Sequence, residues 1–415
     1  MDMERKTVKQ VILRFMACSD LHYKNDPACR EKKRFEEGLR QLYAYADSQP
    51  YKAVDAVYIV GDFTDQGTME QMTLVKESLD RGIRPGTEAV LCMASHEYGG
   101  PGGQAGARER FGQIFGQDAD THRVIRGFHF IAVSTDEDCR FWEPQVSFAA
   151  GALEAAHEDD PRRAVFFFQH PHLTDTVYGS IVWGERDLNP TLYNYPQVID
   201  FSGHSHVPIN DPRSIHQDYV TSVGTGTFSY FEMDEFDKIC GTFPPDAGEA
   251  AQMQIVEAFD DGSVLIKPWD VLTGQPFHEG WTVERPWDPA SFVYTRPIRY
   301  RFAENQKPRF PEGAVLTAEQ TEAGFRLTFD HAEKVMGSDG REEDVDDYVI
   351  TVRDGDGILC RRFVIWSPYY LTRRPEKMSY DFPKLKKGVY TVAVKARGFW
   401  RNESEDCLEA ELTVE

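Results

Sequence analysis

Five apolar runs between residues 15 and 206 each stop at an aspartate, a histidine or both, and this recurrence limits the architectures open to the chain. They are Phe15-Met16-Ala17-Cys18-Ser19-Asp20-Leu21-His22, Tyr58-Ile59-Val60-Gly61-Asp62-Phe63-Thr64-Asp65, Ala89-Val90-Leu91-Cys92-Met93-Ala94-Ser95-His96, Ala164-Val165-Phe166-Phe167-Phe168-Gln169-His170, and Val198-Ile199-Asp200-Phe201-Ser202-Gly203-His204-Ser205-His206. Short, almost continuously apolar runs read as strands buried on both faces of a parallel sheet. Open α/β sheets place ligand chemistry just past the carboxyl ends of such strands. Strand ends that share imidazoles and carboxylates therefore predict one common site, with Asp62 as a central carboxylate.

The intervening segments support that reading. Residues 26–48 carry Phe35, Leu39, Leu42 and Tyr45 at helical spacing, and residues 68–81 form a second helical pattern closed by Gly82. The resulting β-α-β-α-β order predicts a parallel sheet with helices on its faces. Residues 98–106 are glycine-rich and read as a loop at the rim of the site. A hairpin turning at Gly127, a helix over 147–157, and a long connection at 173–188 holding Tyr178 and Trp183 follow. After residue 206 short strands at 219–223, 227–231, 253–259 and 263–268 predict a second sheet packed on the first. The first domain is placed at 1–270, a connector at 271–295, and a β-sandwich at 296–415, made only of strands from Ile298 onward.

Charge narrows the partners. Residues 1–295 hold 46 acidic against 26 basic side chains, most of the net charge of −22, which argues against nucleic acid as a partner. Seven cysteines lie scattered with no C-x-x-C pair, as free thiols in a reducing compartment would. No apolar leader precedes the first strand and no run reaches membrane-spanning length, so a cytoplasmic location without a membrane is expected.

Imidazoles and carboxylates together suit Zn, Fe or Mn. Two such ions some 3.5–4 Å apart clamp a phosphoryl group. The series Asp20-Leu21-His22, Gly61-Asp62-Phe63-Thr64-Asp65, Ser95-His96-Glu97, Gln169-His170-Pro171 and Gly203-His204-Ser205-His206 resembles, in order, the D-x-H, G-D-x-x-D, G-N-H-[DE], H-x-P and G-H-x-H motifs of the calcineurin-like metallophosphoesterases. The resemblance implies a four-layer α/β/β/α sandwich with a dinuclear metal centre. By that resemblance Asp20, His22 and His206 hold one ion, Asp62 bridges, His204 holds the second, and His96 is the acid that assists the leaving oxygen. By the same resemblance Asp65 orients a ligand or its loop rather than binding metal. Separately, residues 385–394 resemble the tyrosine-corner segment of fibronectin type III and immunoglobulin-like domains.

The chain departs from the motifs at two places. Ser95 stands where the family has asparagine. Gln169 stands where the ligand histidine usually lies, with His170 next to it; alternation along a strand lets only one of the two face the metal. Both departures fall on the second ion, so one tightly and one weakly held ion are expected, with Ser95, Gln169 and His170 all candidate ligands. The function implied is hydrolysis of a small-molecule phosphodiester or phosphomonoester by a metal-bound hydroxide. The alternative is a scaffold of the same fold that binds proteins. Oligomeric state has no sequence signal.

Overall fold

The computed structural model describes residues 9–235 and 238–414; the leader-free start read at residues 1–6 lies outside them. The chain divides into two compact units, Met1–Phe292 and Val293–Glu415.

In the first unit β1 (Val11–Cys18), α1 (Arg30–Ser48), β2 (Ala56–Val60), α2 (Met69–Gly82) and β3 (Glu88–Cys92) alternate as the apolar pattern demands. Next come α3 (Gly103–Phe115), the hairpin β4 (Thr121–Ile125) and β5 (Phe128–Ala132), α4 (Glu143–Asp159) and β6 (Val165–Phe168). A short parallel pair, β7 (His172–Leu173) and β8 (Gly184–Glu185), leads through α5 (Asn189–Leu192) to β9 (Val198–Ser202). The remainder is β10 (Ile215–Gln217), β11 (Thr221–Gly224), β12 (Met233–Glu235), β13 (Lys238–Thr242), β14 (Gln252–Phe259), β15 (Val264–Asp270), β16 (Gln275–Pro276) and β17 (Trp281–Val283).

These strands build two sheets, ordered β16-β15-β14-β1-β2-β3, with β17 also on β15, and β10-β11-β9-β6-β5-β4. Alternation along each strand serves two cores at once. Phe15 and Tyr58 of the first sheet meet Phe130, Phe166, Phe168 and Phe201 of the second, with Tyr58 stacked 4.0 Å from Phe168 and Phe15 edge-on to Phe166 at 4.7 Å. Their neighbours Met16, Cys18, Val57 and Ile59 turn the other way, onto Phe35, Leu39, Leu42, Met72 and Val75 of α1 and α2. Likewise Ile131, Val165, Phe167 and Val198 pack under Ala149, Ala152, Leu153 and Ala156 of α4. The layers are thus α/β/β/α. Each fully buried phenylalanine contributes about 1.5–3 kcal/mol to holding them together.

Four expectations need correction. The strands after residue 206 do not make a sheet of their own: β11 joins β9, while β14 and β15 return antiparallel beside β1, and 227–231 is not a strand. Every residue of β14 is buried, so it needs both faces covered, which the place next to β1 provides. The connector at 271–295 instead holds β16 and β17, which extend the first sheet around a buried Trp281. The glycine-rich stretch at 98–106 already contains the start of α3: Gly102, at φ 89°, turns the chain into it, and Ala107 and Phe111 bury in the α1/α2 core. Finally, the second unit opens with a helix.

That helix is α6 (Arg296–Ala303), begun by a Thr295 side chain that accepts from the Ile298 N–H and by Pro297 in its first turn. Strands follow: β18 (Leu316–Gln320), β19 (Gly324–Phe329), β20 (Val335–Met336), β21 (Glu342–Glu343), β22 (Val345–Asp354), β23 (Leu359–Trp366), β24 (Met378–Pro383), β25 (Gly388–Gly398) and β26 (Leu408–Val414). Antiparallel sheets β18-β19-β24 and β23-β22-β25-β26 enclose one apolar core containing Phe325, Leu327, Phe329, Tyr348, Ile350, Val392 and Val394. The Tyr390 hydroxyl donates back to the Lys386 carbonyl at 2.8 Å. Among the described residues no helix is long and apolar enough to cross a membrane.

Candidate metal centre

The loops leaving β1, β2 and β9 hold their polar residues in a backbone conformation that side chains disfavour. Asp20, His22, Asp62, His204 and His206 have φ of 54°, 46°, 48°, 70° and 54°, and they make up half of the ten non-glycine residues with positive φ among those described. Such conformers cost about 1–2 kcal/mol each, and their clustering at one place marks a functional site rather than chance strain. Backbone bonds zip the first two loops together: Asp20 N–H donates to Gly61 O (3.2 Å), His22 to Asp62 O (3.0 Å) and Tyr23 to Phe63 O (3.1 Å). Gly61, at φ 82°, is obligatory there, since a Cβ would lie 2.5 Å from His170 Nδ1 and 2.8 Å from the Ala94 Cβ.

The side chains so placed converge. Asp20 Oδ1 lies 3.0 Å from His206 Nε2 and 3.8 Å from His22 Nε2, and those two imidazole nitrogens are 3.1 Å apart. Asp62 Oδ2 lies 3.0 Å from His170 Nε2. Ligand atoms group within 4.8 Å as Asp20, His22 and His206; as Asp20, Asp62 and His170; as His22, Asp62 and His96; and as Cys139, His170 and His204. His96 sits half-buried at the rim, edge-on to His22 at 4.5 Å, its Nδ1 donating to the Asp65 carbonyl at 2.8 Å and its backbone N–H to Asp62 Oδ1 at 3.1 Å. The Asp65 carboxylate pairs with Lys24 and lies 3.9 Å from His22 Nδ1, without joining any of the ligand groups among the described residues.

The donor set fits transition-metal ions. Carbonyl oxygens fix the tautomers, Tyr230 O accepting from His206 Nδ1 (2.9 Å) and Val60 O from His170 Nδ1 (2.7 Å), so both Nε2 lone pairs face inward as metal ligation requires. Asp20 Oδ1 and His170 Nε2 are buried, and their 3.0 Å contacts are to other members of the cluster, His206 Nε2 and Asp62 Oδ2. The field inside is that of a cation site. Burial opposes a charged His170, yet Asp62 and Asp20 override it and push its pKa up to about 10; burial likewise opposes Asp20, but His206 and His170 hold its carboxyl well below the usual range. Burial, then the His170 charge, drives His204 down to about 3, leaving a neutral imidazole. His172 lies beneath, bonded to the Ser202 and Ser205 hydroxyls at 2.7 and 2.6 Å, and braces the turn that carries His204 and His206.

One predicted ligand falls elsewhere. Gln169 does not face the cluster; His170 does. Phe166, Phe168 and His170 share the face toward the other sheet, whereas Phe167 and Gln169 share the helix face, where Gln169 Nε2 donates to Asp200 Oδ1 at 2.9 Å. Ser95 lies against the Cys139 sulfur, bonded to it through its hydroxyl and backbone. Sequence reasoning missed Cys139 and also missed Glu97, whose carboxylate accepts from Asp62 N (3.0 Å), Thr64 N (2.9 Å), Ala94 N (2.9 Å) and Thr64 Oγ1 (2.8 Å), pinning the Asp62 turn.

The Gln169–Asp200 pair yields a pH test. Burial pushes Asp200 up to about 8, only partly relieved by Gln169. A carboxyl raised on folding binds more protons in the folded state, so its destabilising effect grows as pH rises from about 4 to about 8, by up to about 1.4 kcal/mol per pH unit. Asp200→Asn is expected to raise the first thermal transition more at pH 8 than at pH 5. Equal shifts at both values would exclude the effect.

The sequence matches the family model described as calcineurin-like phosphoesterase over residues 13–208. No curated protein matches the sequence. Among solved structures, the chain is similar to the purple acid phosphatase PPD1 from yellow lupin (Lupinus luteus) seeds, with 16% identity, 65% of this chain and 53% of that chain covered, and a TM-score of 0.46. It spans about half the length of that phosphatase. PhoD matches with 9% identity over 63% of this chain and 66% of that chain, at a TM-score of 0.37. The recurrent strand ends, the layered fold and the family match agree: residues 13–208 of this chain belong to the calcineurin-like phosphoesterases.

Proposed function

We propose that the first unit hydrolyses phosphate esters at this cluster, taking diesters in preference to monoesters. The observation that carries the reading is the convergence of Asp20, His22, Asp62, His170, His204 and His206 on shared ligand positions with His96 at the rim. One or two bound Mn, Fe or Zn ions would supply Lewis-acid charge and a water-derived nucleophile. Asp20, His22 and His206 would hold one ion and His170 and His204 the other, with Asp62 between them. His96, whose Nδ1–H is committed to Asp65 O, turns Nε2 toward the cluster and can carry a proton to the departing alkoxide.

The rim favours a diester. Trp183 stands edge-on to His204 at 5.0 Å, and on the other flank Tyr230 stacks on His206 at 4.3 Å and touches an exposed Phe243 at 5.2 Å. Glu232 lies close enough to His206 and Asp20 to act on both. A monoanion with two organic arms suits two aromatic flanks and an added carboxylate better than a dianion with one. The second unit reads as an accessory sandwich of fibronectin type, supported by the Tyr390 bond to Lys386. Cysteines such as Cys18 and Cys92, unpaired and buried, suit a cytoplasmic setting.

The test compares bis- and mono-p-nitrophenyl phosphate with Mn, Zn or Fe added. Higher kcat/KM on the diester is expected, and His96→Ala should lower kcat by about 10²–10⁴-fold with metal content unchanged. Absence of metal-dependent turnover on either substrate would favour the protein-binding scaffold instead.

A further inference from the structure

The loop after β5 is built around one cysteine. The Asp136 carboxylate accepts from Asp138 N (2.9 Å), Arg140 N (2.8 Å) and Trp142 Nε1 (2.6 Å), while Cys139 N–H donates to Asp136 O at 3.3 Å. Arg140 is anchored in turn by Asp187, at 3.1 and 3.2 Å. This scaffold holds Cys139 at φ 57°, a conformation shared with the cluster's own aspartates and histidines. The residue is 6% exposed, and its sulfur lies within 4.8 Å of ring nitrogens of both His170 and His204. Independently, His170 is fully buried, its Nδ1–H is committed to the Val60 carbonyl so that Nε2 points into the cluster, and it belongs to the same group of ligand atoms.

We propose that Cys139 is a thiolate ligand of the second metal ion, completing with Asp62, His170 and His204 a site in which Ser95 stands where the family motif has asparagine. The inference rests on reading the cluster as a two-ion centre. On binding, the Cys139 thiol gives its proton to solvent as the sulfur–metal bond forms. Ser95, hydrogen-bonded to that sulfur through its hydroxyl and backbone, is then a positioning residue. The second site is therefore altered in kind rather than depleted, and a soft sulfur donor turns it from Mn and Mg toward Zn.

Cobalt(II) titrated into the metal-free full-length protein reads the bond directly. Wild type is expected to show the visible ligand-field bands of protein-bound cobalt and, as the second equivalent enters, a near-ultraviolet sulfur-to-cobalt charge-transfer band. Cys139→Ser should lose that band while keeping the ligand-field bands of the first ion, and Cys139→Asp should keep two equivalents of cobalt without the band. Zinc should be held at the second site at least about 10-fold more weakly in Cys139→Ser. Two cobalt equivalents without a charge-transfer band in wild type, a measurement independent of any variant's folding, would overturn the thiolate and leave the two-ion reading standing. A band that persists in Cys139→Ser would also overturn it. No cobalt binding at all would overturn both readings together.

Discussion

Asp62→Asn should leave a folded protein that has lost at least about 10³-fold in turnover of bis-p-nitrophenyl phosphate, together with the greater part of its bound metal. The substitution is chosen because asparagine tolerates the φ of 48° that the position imposes. Its side-chain oxygen can still accept from the His96 N–H, so the turn survives. What disappears is a full negative charge, 2% exposed, that stands 3.0 Å from His170 Nε2 and joins His22 and His96 on one side to Asp20 and His170 on the other. Metal content by elemental analysis and turnover should fall together. Unchanged metal content with activity inside a factor of ten would show that Asp62 is no ligand.

Removing Glu97 should be the most damaging single change to the fold around the cluster. Its two oxygens accept four bonds in a fully buried pocket, three of them from backbone N–H groups that have nowhere else to go. Glu97→Ala strands those donors, at a cost of about 3–5 kcal/mol. Glu97→Gln should also destabilise, because each oxygen serves two donors and an amide NH₂ must face two of them whichever way it turns. Urea unfolding of the metal-loaded protein checks the stability, and metal retention after dialysis checks the consequence for Asp62. A loss below about 1 kcal/mol in Glu97→Ala would mean that water replaces the carboxylate.

The layers and most of the cluster were legible in the sequence because one physical pattern, an apolar strand that ends in polar ligands, repeats in order. Where the pattern was ambiguous the tertiary structure decided. Gln169 and His170 are adjacent, and three consecutive phenylalanines before them give no clue to face. Only the packing of Phe167 under α4 and of Phe168 against Tyr58 sets the phase that turns His170 inward. Cys139 was illegible for a different reason: nothing in its neighbours separates it from the other scattered cysteines, and its nearness to His204 arises from how β5, β6 and β9 lie side by side. Trp281 misled in the opposite sense, since a weakly periodic stretch conceals a strand whose pairing with β15 supplies its order. Helix α3 was hidden by the glycines that start it.

The left-handed residues at the strand ends carry an evolutionary implication. Glycine would relax the backbone at positions 20, 22, 62, 204 and 206 by roughly 1 kcal/mol apiece. Selection for stability alone would therefore erase the cluster, one donor at a time, and each step would look like an improvement in a thermal screen. Any programme that stabilises this protein by melting temperature alone is drawn first to the residues it must leave alone.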